Sequence, residues 1–176
     1  MAVELEIGEG TKVELLGGDN IKISGKLGST TKHFNSKLLS VSVSGSKLAI
    51  DISKNKKLAK KATLAQTALA SELRAAMKGV NEGVTRHMRV VFAHFPISFE
   101  IKGNVLYAKN VFGEHLPRTA KIVGDTKVEI KGQEVFVKGV DPYDVNQTAA
   151  NLFALSFLKQ KDERIFQDGI YHVKEE

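Results

Sequence analysis

The chain repeats itself, and a self-similarity at a nearly fixed offset constrains the architecture before any single residue is weighed. Val41-Ser42-Val43-Ser44-Gly45, leading to Leu48 and Ile50, lines up with Val128-Glu129-Ile130-Lys131-Gly132, leading to Val135 and Val137. Both are period-2 runs hinged on a glycine that can adopt positive φ, so each predicts a β-hairpin. Upstream, Val13-Glu14-Leu15 followed by Asn20-Ile21-Lys22-Ile23 resembles Ser98-Phe99-Glu100-Ile101 followed by Asn104-Val105-Leu106-Tyr107, again two strands and a turn. Downstream, Gln66-Thr67-Ala68 matches Gln147-Thr148-Ala149, each inside an Ala-rich stretch with apolar residues at helical spacing.

The spacing predicts a first helix from about Lys60 to Lys78, presenting Leu58, Ala62, Ala65, Leu69, Leu73 and Ala76, with Gly79 as its stop. A second helix is expected to start at Asp141-Pro142, an N-cap followed by proline at the first helical position. It should present Val145, Ala149, Leu152, Phe153 and Ser156 inward and fray near Lys159. Hairpins with one long helix per half imply an α+β chain of two tandem duplicated lobes, each an antiparallel sheet covered by one helix. The expected lobes are 1–82 and 83–176, each long enough for a modest core.

With 42% hydrophobic and 26% charged residues, the 176-residue chain has the profile of a packed domain, not a disordered one. Zero cysteines exclude disulfides, thiolate metal sites and cysteine nucleophiles, and fit a reducing compartment. Residues 1–20 hold five acidic residues and no apolar block, so no export signal is expected, and no apolar run approaches membrane-spanning length. A soluble cytoplasmic protein is expected.

Lys and Arg number 26 against 20 Asp and Glu, a formal net charge of +6 that favours a polyanionic partner. Residues 1–88 hold fourteen basic and eight acidic residues, which leaves the remainder formally neutral. Three local clusters are candidates for contact with a polyanion. The first is Lys54, Lys56 and Lys57 with Lys60 and Lys61, at the entry to the first helix, where cations oppose the macrodipole. The second is Gly113-Glu114-His115-Leu116-Pro117-Arg118 with Lys121. The third is the tail, where Lys159, Lys161, Arg164, Phe166, Tyr171 and Lys174 interleave basic and aromatic side chains, a pattern suited to phosphate contact and base stacking. Each has a plainer reading too: a solvated helix start, a turn with incidental charge, and a docked last strand with Phe166 and Tyr171 in the core. In the tail, Asp168 is expected to accept backbone N–H groups in a turn whose positive-φ position is Gly169, which aims Tyr171.

An enzyme is not expected. His33, His87, His94, His115 and His172 are scattered without zinc-ligand spacing, so neither metal nor cofactor is implied. Neither a phosphate-binding loop nor a nucleophile elbow is present, and Val43-Ser44-Gly45-Ser46-Lys47 reads as the hairpin turn.

Arg164-Ile165-Phe166-Gln167-Asp168-Gly169-Ile170-Tyr171, preceded by Gln147-Thr148-Ala149-Ala150, resembles the C-terminal signature of the L-six family of large-subunit ribosomal proteins, in its archaeal and eukaryotic branch. Gly79-Val80-Asn81-Glu82-Gly83, His94-Phe95-Pro96, Asn110-Val111-Phe112-Gly113-Glu114, Pro117-Arg118 and Gly124-Asp125-Thr126 resemble further landmarks of that family, in its order. The resemblance implies two duplicated α+β lobes and a structural protein, cytoplasmic and ribosome-bound, with no small-molecule substrate. It implies binding to large-subunit rRNA near the base of the lateral stalk, where translation factors dock, with neighbouring ribosomal proteins as partners. It also implies that much of the RNA contact lies in the second lobe and its tail. The alternative is a free-standing RNA-binding chaperone or regulatory protein using the same surfaces.

Overall fold

Two compact units divide the chain, 1–83 and 84–176. The computed structural model describes residues 3–8, 10–17, 19–52, 59–93, 95–157, 162 and 164–173. In the first unit the described strands are β1 (Val3–Glu6), β2 (Lys12–Leu16), β3 (Asn20–Ser24), β4 (Ser29–His33), β5 (Leu39–Ser44) and β6 (Lys47–Ile52), followed by helix α1 (Ala59–Glu82). They form two three-stranded antiparallel sheets, ordered β1-β6-β5 and β2-β3-β4. The expected hairpin is β5-β6: Val41 faces Ile50, Val43 faces Leu48, and Gly45 turns the chain at φ 60°. Leu5, Ile21, Ile23, Leu48 and Ile50 are buried, as are Ala62, Leu69, Leu73, Ala76 and Val80 of α1.

Helix α1 departs from expectation at both ends of its apolar stripe. Leu58 lies outside the described residues, and Gly79 does not end the helix but is buried within it. The stop is Gly83, at φ 76°, whose N–H donates to Gly79 O at 2.9 Å. A tertiary contact explains the extension: Leu27, between β3 and β4, donates its N–H to Val80 O at 2.9 Å. That satisfies a carbonyl the last turn cannot pair by itself. Inside the helix, buried Gln66 donates from Nε2 to Ile50 O, where apolar spacing alone suggested no polar residue.

The second unit contains β7 (Val84–Val91), β8 (Ser98–Lys102), β9 (Val105–Lys109), a single 3-10 turn (Val111–Gly113), β10 (Arg118–Lys121), β11 (Lys127–Lys131), β12 (Glu134–Gly139), α2 (Pro142–Leu155) and β13 (Gly169–His172). Its sheets are β11-β12-β7-β13 and β10-β9-β8, antiparallel throughout. Val128 faces Val137, Ile130 faces Val135, and Gly132 turns at φ 61°. Helix α2 packs against β7, β10, β12 and β13. Met88, Val90, Val135, Val137 and Ile170 line one core with Val145, Ala149, Leu152 and Leu155.

The start of α2 is as expected, with Pro142 in the first turn and Asp141 Oδ1 accepting from Tyr143 N–H at 2.9 Å. Its end differs: the helix stops at Leu155, and Phe153 is 41% exposed instead of inward, its ring 5.9 Å from that of His172. Ser156 follows as a half-buried cap.

The helix stripes also correct one alignment. In α1 residues 62, 66, 69, 70, 73, 76, 77, 79 and 80 are buried, and in α2 residues 145, 148, 149, 152 and 155 are. Gln66 is buried, whereas Gln147 is exposed and donates to Asn151 Oδ1. The shared Gln-Thr-Ala is thus not an equivalence of position.

Because Gly83 holds a left-handed conformation that costs any L side chain free energy, Gly83→Ala should lower the unfolding free energy by about 1 kcal/mol, read from urea denaturation midpoints.

Candidate nucleic-acid interface

Of the expected contact residues, Lys54, Lys56, Lys57, Lys159, Lys161 and Lys174 lie outside the described residues. Lys60 and Lys61 are exposed on the first turn of α1. The remaining candidates, Arg118, Lys121, Arg164, Gly169 and Tyr171, all belong to the second unit, where their surroundings differ sharply.

Arg118 is engaged with the protein. Its Nε donates to Glu114 Oε2 at 2.8 Å and its Nη2 to Glu114 Oε1, while Nη1 donates to Leu155 O at 2.7 Å and Phe157 O at 3.0 Å. The carbonyls belong to the C-terminal end of α2, where a cation also meets the negative pole of the helix. The guanidinium lies 5.3 Å from the centroid of the Phe112 ring. Hydrogen bonds to Glu114 hold its pKa above the ordinary arginine value. This clamp accounts for the Asn110-Val111-Phe112-Gly113-Glu114 segment: Asn110 at φ 61° and Phe112 at φ 54° turn the chain left-handed, bringing ring and carboxylate to one guanidinium. Two such residues cost on the order of 1–3 kcal/mol each, which the packing and the clamp must offset. The residue picked out for phosphate is therefore bound to protein acceptors through all three of its guanidinium nitrogens.

Beside the clamp, an open cleft of about 720 Å³ is lined in part by Pro117, Thr119, Lys121, Asn151 and Phe157. Lys121 is exposed at the end of β10, and its backbone O accepts from Asn151 Nδ2 at 2.8 Å. Among the charged residues of this cleft, Lys121 is the cation that stays available.

In the tail, Asp162 organises a tight turn: its Oδ1 accepts from Arg164 N–H at 2.9 Å and Nε at 3.1 Å, and its Oδ2 from Nη2 at 2.8 Å. The arginine donors lower the Asp162 pKa, and the carboxylate raises that of Arg164. The Arg164 side chain is 89% exposed.

Gly169 departs from its expected role. It is not among the positive-φ glycines but is the buried first residue of β13, and a Cβ there would lie 3.2 Å from Ser156 Cβ and Oγ. Asp168, 4% exposed, does accept a backbone N–H, but from Ala93 beyond the end of β7, at 2.8 Å. Ile170 N–H donates to Ser156 Oγ at 3.0 Å. Tyr171 faces Arg89 across the β13-β7 ladder, 41% exposed, its hydroxyl donating to Gln167 O at 3.1 Å. Residues 169–172 are thus a docked strand with Ile170 in the core, the plainer of the two readings of the tail. Phe166 is half-buried and Tyr171 is not core.

No protein-family model matches the chain. Over 174 residues it is 37% identical to the large ribosomal subunit protein uL6 of Methanosarcina mazei, covering 99% of this chain and 97% of that one. Its identity to the uL6 protein of Thermoplasma acidophilum is 36% over 172 residues, 98% and 94% of the two chains. That of Archaeoglobus fulgidus is 40% identical over 157 residues, 89% and 79% of the two. The chain belongs to the uL6 family. The family resemblance of the tail and of the Asn110–Glu114 segment thus falls on segments whose packing is described above. Sequence reading missed Glu114, Phe112 and Ser156 as partners because they are set by three-dimensional approach, and no helical spacing links Glu114 to Arg118 in this loop.

Arg118→Lys cannot reproduce the fork and should destabilise by about 1–2 kcal/mol in urea unfolding. Gly169→Val should cost at least as much, because valine must displace Ser156, and amides of β13 should be protected from hydrogen exchange in the free protein.

Proposed function

We propose that this protein is a structural constituent of the large ribosomal subunit, cytoplasmic and non-enzymatic, that binds large-subunit rRNA and touches neighbouring ribosomal proteins near the base of the lateral stalk. The observation that carries this reading is identity to uL6 proteins along nearly the full chain, including both units. In the same reading the units are duplicated lobes, 1–82 and 83–176. Supporting this, β5-β6-β1 and β11-β12-β7 have the same order, both β2-β3-β4 and β8-β9-β10 are consecutive, and the hairpin registers correspond pair for pair. Arg164, exposed on its turn, and Lys121, at the cleft, are the described candidates best placed to meet phosphate, with Tyr171 beside them in the proposal. Lys54, Lys56, Lys57, Lys159, Lys161 and Lys174 remain proposed contacts.

Contacts from Lys and Arg to phosphate release counterions, so log K should fall linearly with log salt. Affinity for large-subunit rRNA should drop steeply between about 50 and about 200 mM salt, and Arg164→Ala should weaken it with no change in thermal midpoint. Co-sedimentation with large subunits at moderate salt tests the ribosomal role; recovery only in the unassembled pool would favour a free chaperone.

A further inference from the structure

In the sheet β11-β12-β7-β13, Met88, Val90, Val135, Val137 and Ile170 point toward α2, so the alternate residues of β7, β11 and β12 form the opposite face. That face presents Lys127 and Lys131 from β11, Lys138 from β12 and Arg89 from β7, against Glu129 and Glu134. Its middle is one continuous cluster. The rings of His87 and Phe136 stack at 4.6 Å and 5°, and the ammonium groups of Lys131 and Lys138 lie 5.8 and 5.9 Å from the Phe136 centroid. Lys138 Nζ meets Glu129 Oε2 at 2.8 Å, and the pKa of Glu129 is lowered by Lys138 first, then by Lys131 and Lys127. Lys127, Lys131 and Lys138 thus lie around Glu129, while Glu134, 3.7 Å from His87 Nε2, stands opposite both Lys131 and the exposed Arg89.

The fold does not demand this. The corresponding face in the first unit, on β5-β6-β1, carries Ser40, Ser42 and Ser44 with Glu4, Glu6 and Asp51, and its Lys47 pairs with Glu4 at 3.2 Å. The same architecture is built there on hydroxyls and acids. A cationic lattice on the second unit alone is an addition, in a unit whose formal charge is close to zero.

We propose that this sheet face is a second docking surface for RNA, engaging backbone phosphates through Lys127, Lys131, Lys138 and Arg89. The inference rests on the reading of the chain as an rRNA-binding protein and adds a surface outside the cleft, continuous with the tail only where Tyr171 faces Arg89. Phosphates, not bases, are the target: Phe136 is stacked against His87 and flanked by lysine stems, leaving point charges as the exposed groups. The stack and the cation–π contacts hold the ammonium groups in place before binding, which reduces the side-chain ordering that binding must otherwise supply.

The test uses the full chain and large-subunit rRNA transcribed in vitro, with affinity measured across a salt series. The Arg89→Gln/Lys127→Gln/Lys131→Gln variant should bind at least tenfold more weakly (roughly the loss expected for two or three phosphate contacts), and its salt slope should be smaller by about two. Glu129→Gln should bind more tightly, a gain that misfolding cannot imitate. Acetylation of Lys127 and Lys131 should be suppressed on the RNA. Wild-type affinity and slope in the triple variant, with no gain from Glu129→Gln, would overturn this surface while leaving rRNA binding intact. Suppression of acetylation in whole subunits but not on naked rRNA would overturn it in favour of a protein neighbour. Absence of binding by the wild-type chain would overturn the rRNA-binding reading and this surface together.

Discussion

Each unit has a single described α-helix to lay against its sheets, so the strands beneath it must present one apolar face and one compatible with water. In the second unit, burying Val145, Leu152 and Leu155 of α2 against Met88, Val137 and Ile170 contributes about 2 kcal/mol per large side chain, as an upper estimate. Everything else is arranged around keeping that helix in place. Asp141 caps its start, Arg118 binds carbonyls at its end, and Ser156 just past it accepts the amide of the last strand.

That arrangement explains what could be read from residues alone. The β5-β6 and β11-β12 hairpins were legible, because period-2 alternation around a turning glycine marks two strands and the turn between them. The start of α2 was legible because a cap is local chemistry. The end of α1 was not: Gly79 reads as a stop until Leu27 supplies a donor for Val80 O, a contact separated by more than fifty residues. Phe153 failed for a related reason, since helical spacing identifies a stripe but not how far the sheet extends beneath its edge.

The candidate site divides along the same line. Arg118 and Arg164 look alike in sequence, each in a polar segment with an acidic residue nearby. Their surroundings separate them. One guanidinium is spread over a carboxylate, two helix-end carbonyls and a ring; the other shares a single aspartate in a turn and is otherwise open to solvent. Gly169 shows the same ambiguity, since a glycine needed for a left-handed turn and one needed for close approach are identical until the neighbouring Ser156 is seen.

Charge totals mislead for an allied physical reason. Ions within roughly 8–10 Å dominate the field at physiological salt, so what a polyanion meets is the local arrangement, not the sum over a domain. The first part of the chain holds the whole formal excess, yet on its β5-β6-β1 face serines stand with Glu4, Glu6 and Asp51, and Lys47 is paired with Glu4. The second part is neutral in total, yet it sets Asp162 and Glu114 against the two arginines and gathers Lys127, Lys131 and Lys138 around Glu129. An acid within a cationic cluster lowers the mutual repulsion of the lysines and so stabilises the folded face before any partner arrives. A phosphate approaching that face replaces the carboxylate's role for the outer lysines, so the same repulsion that Glu129 relieves in the free protein becomes a source of affinity in the complex.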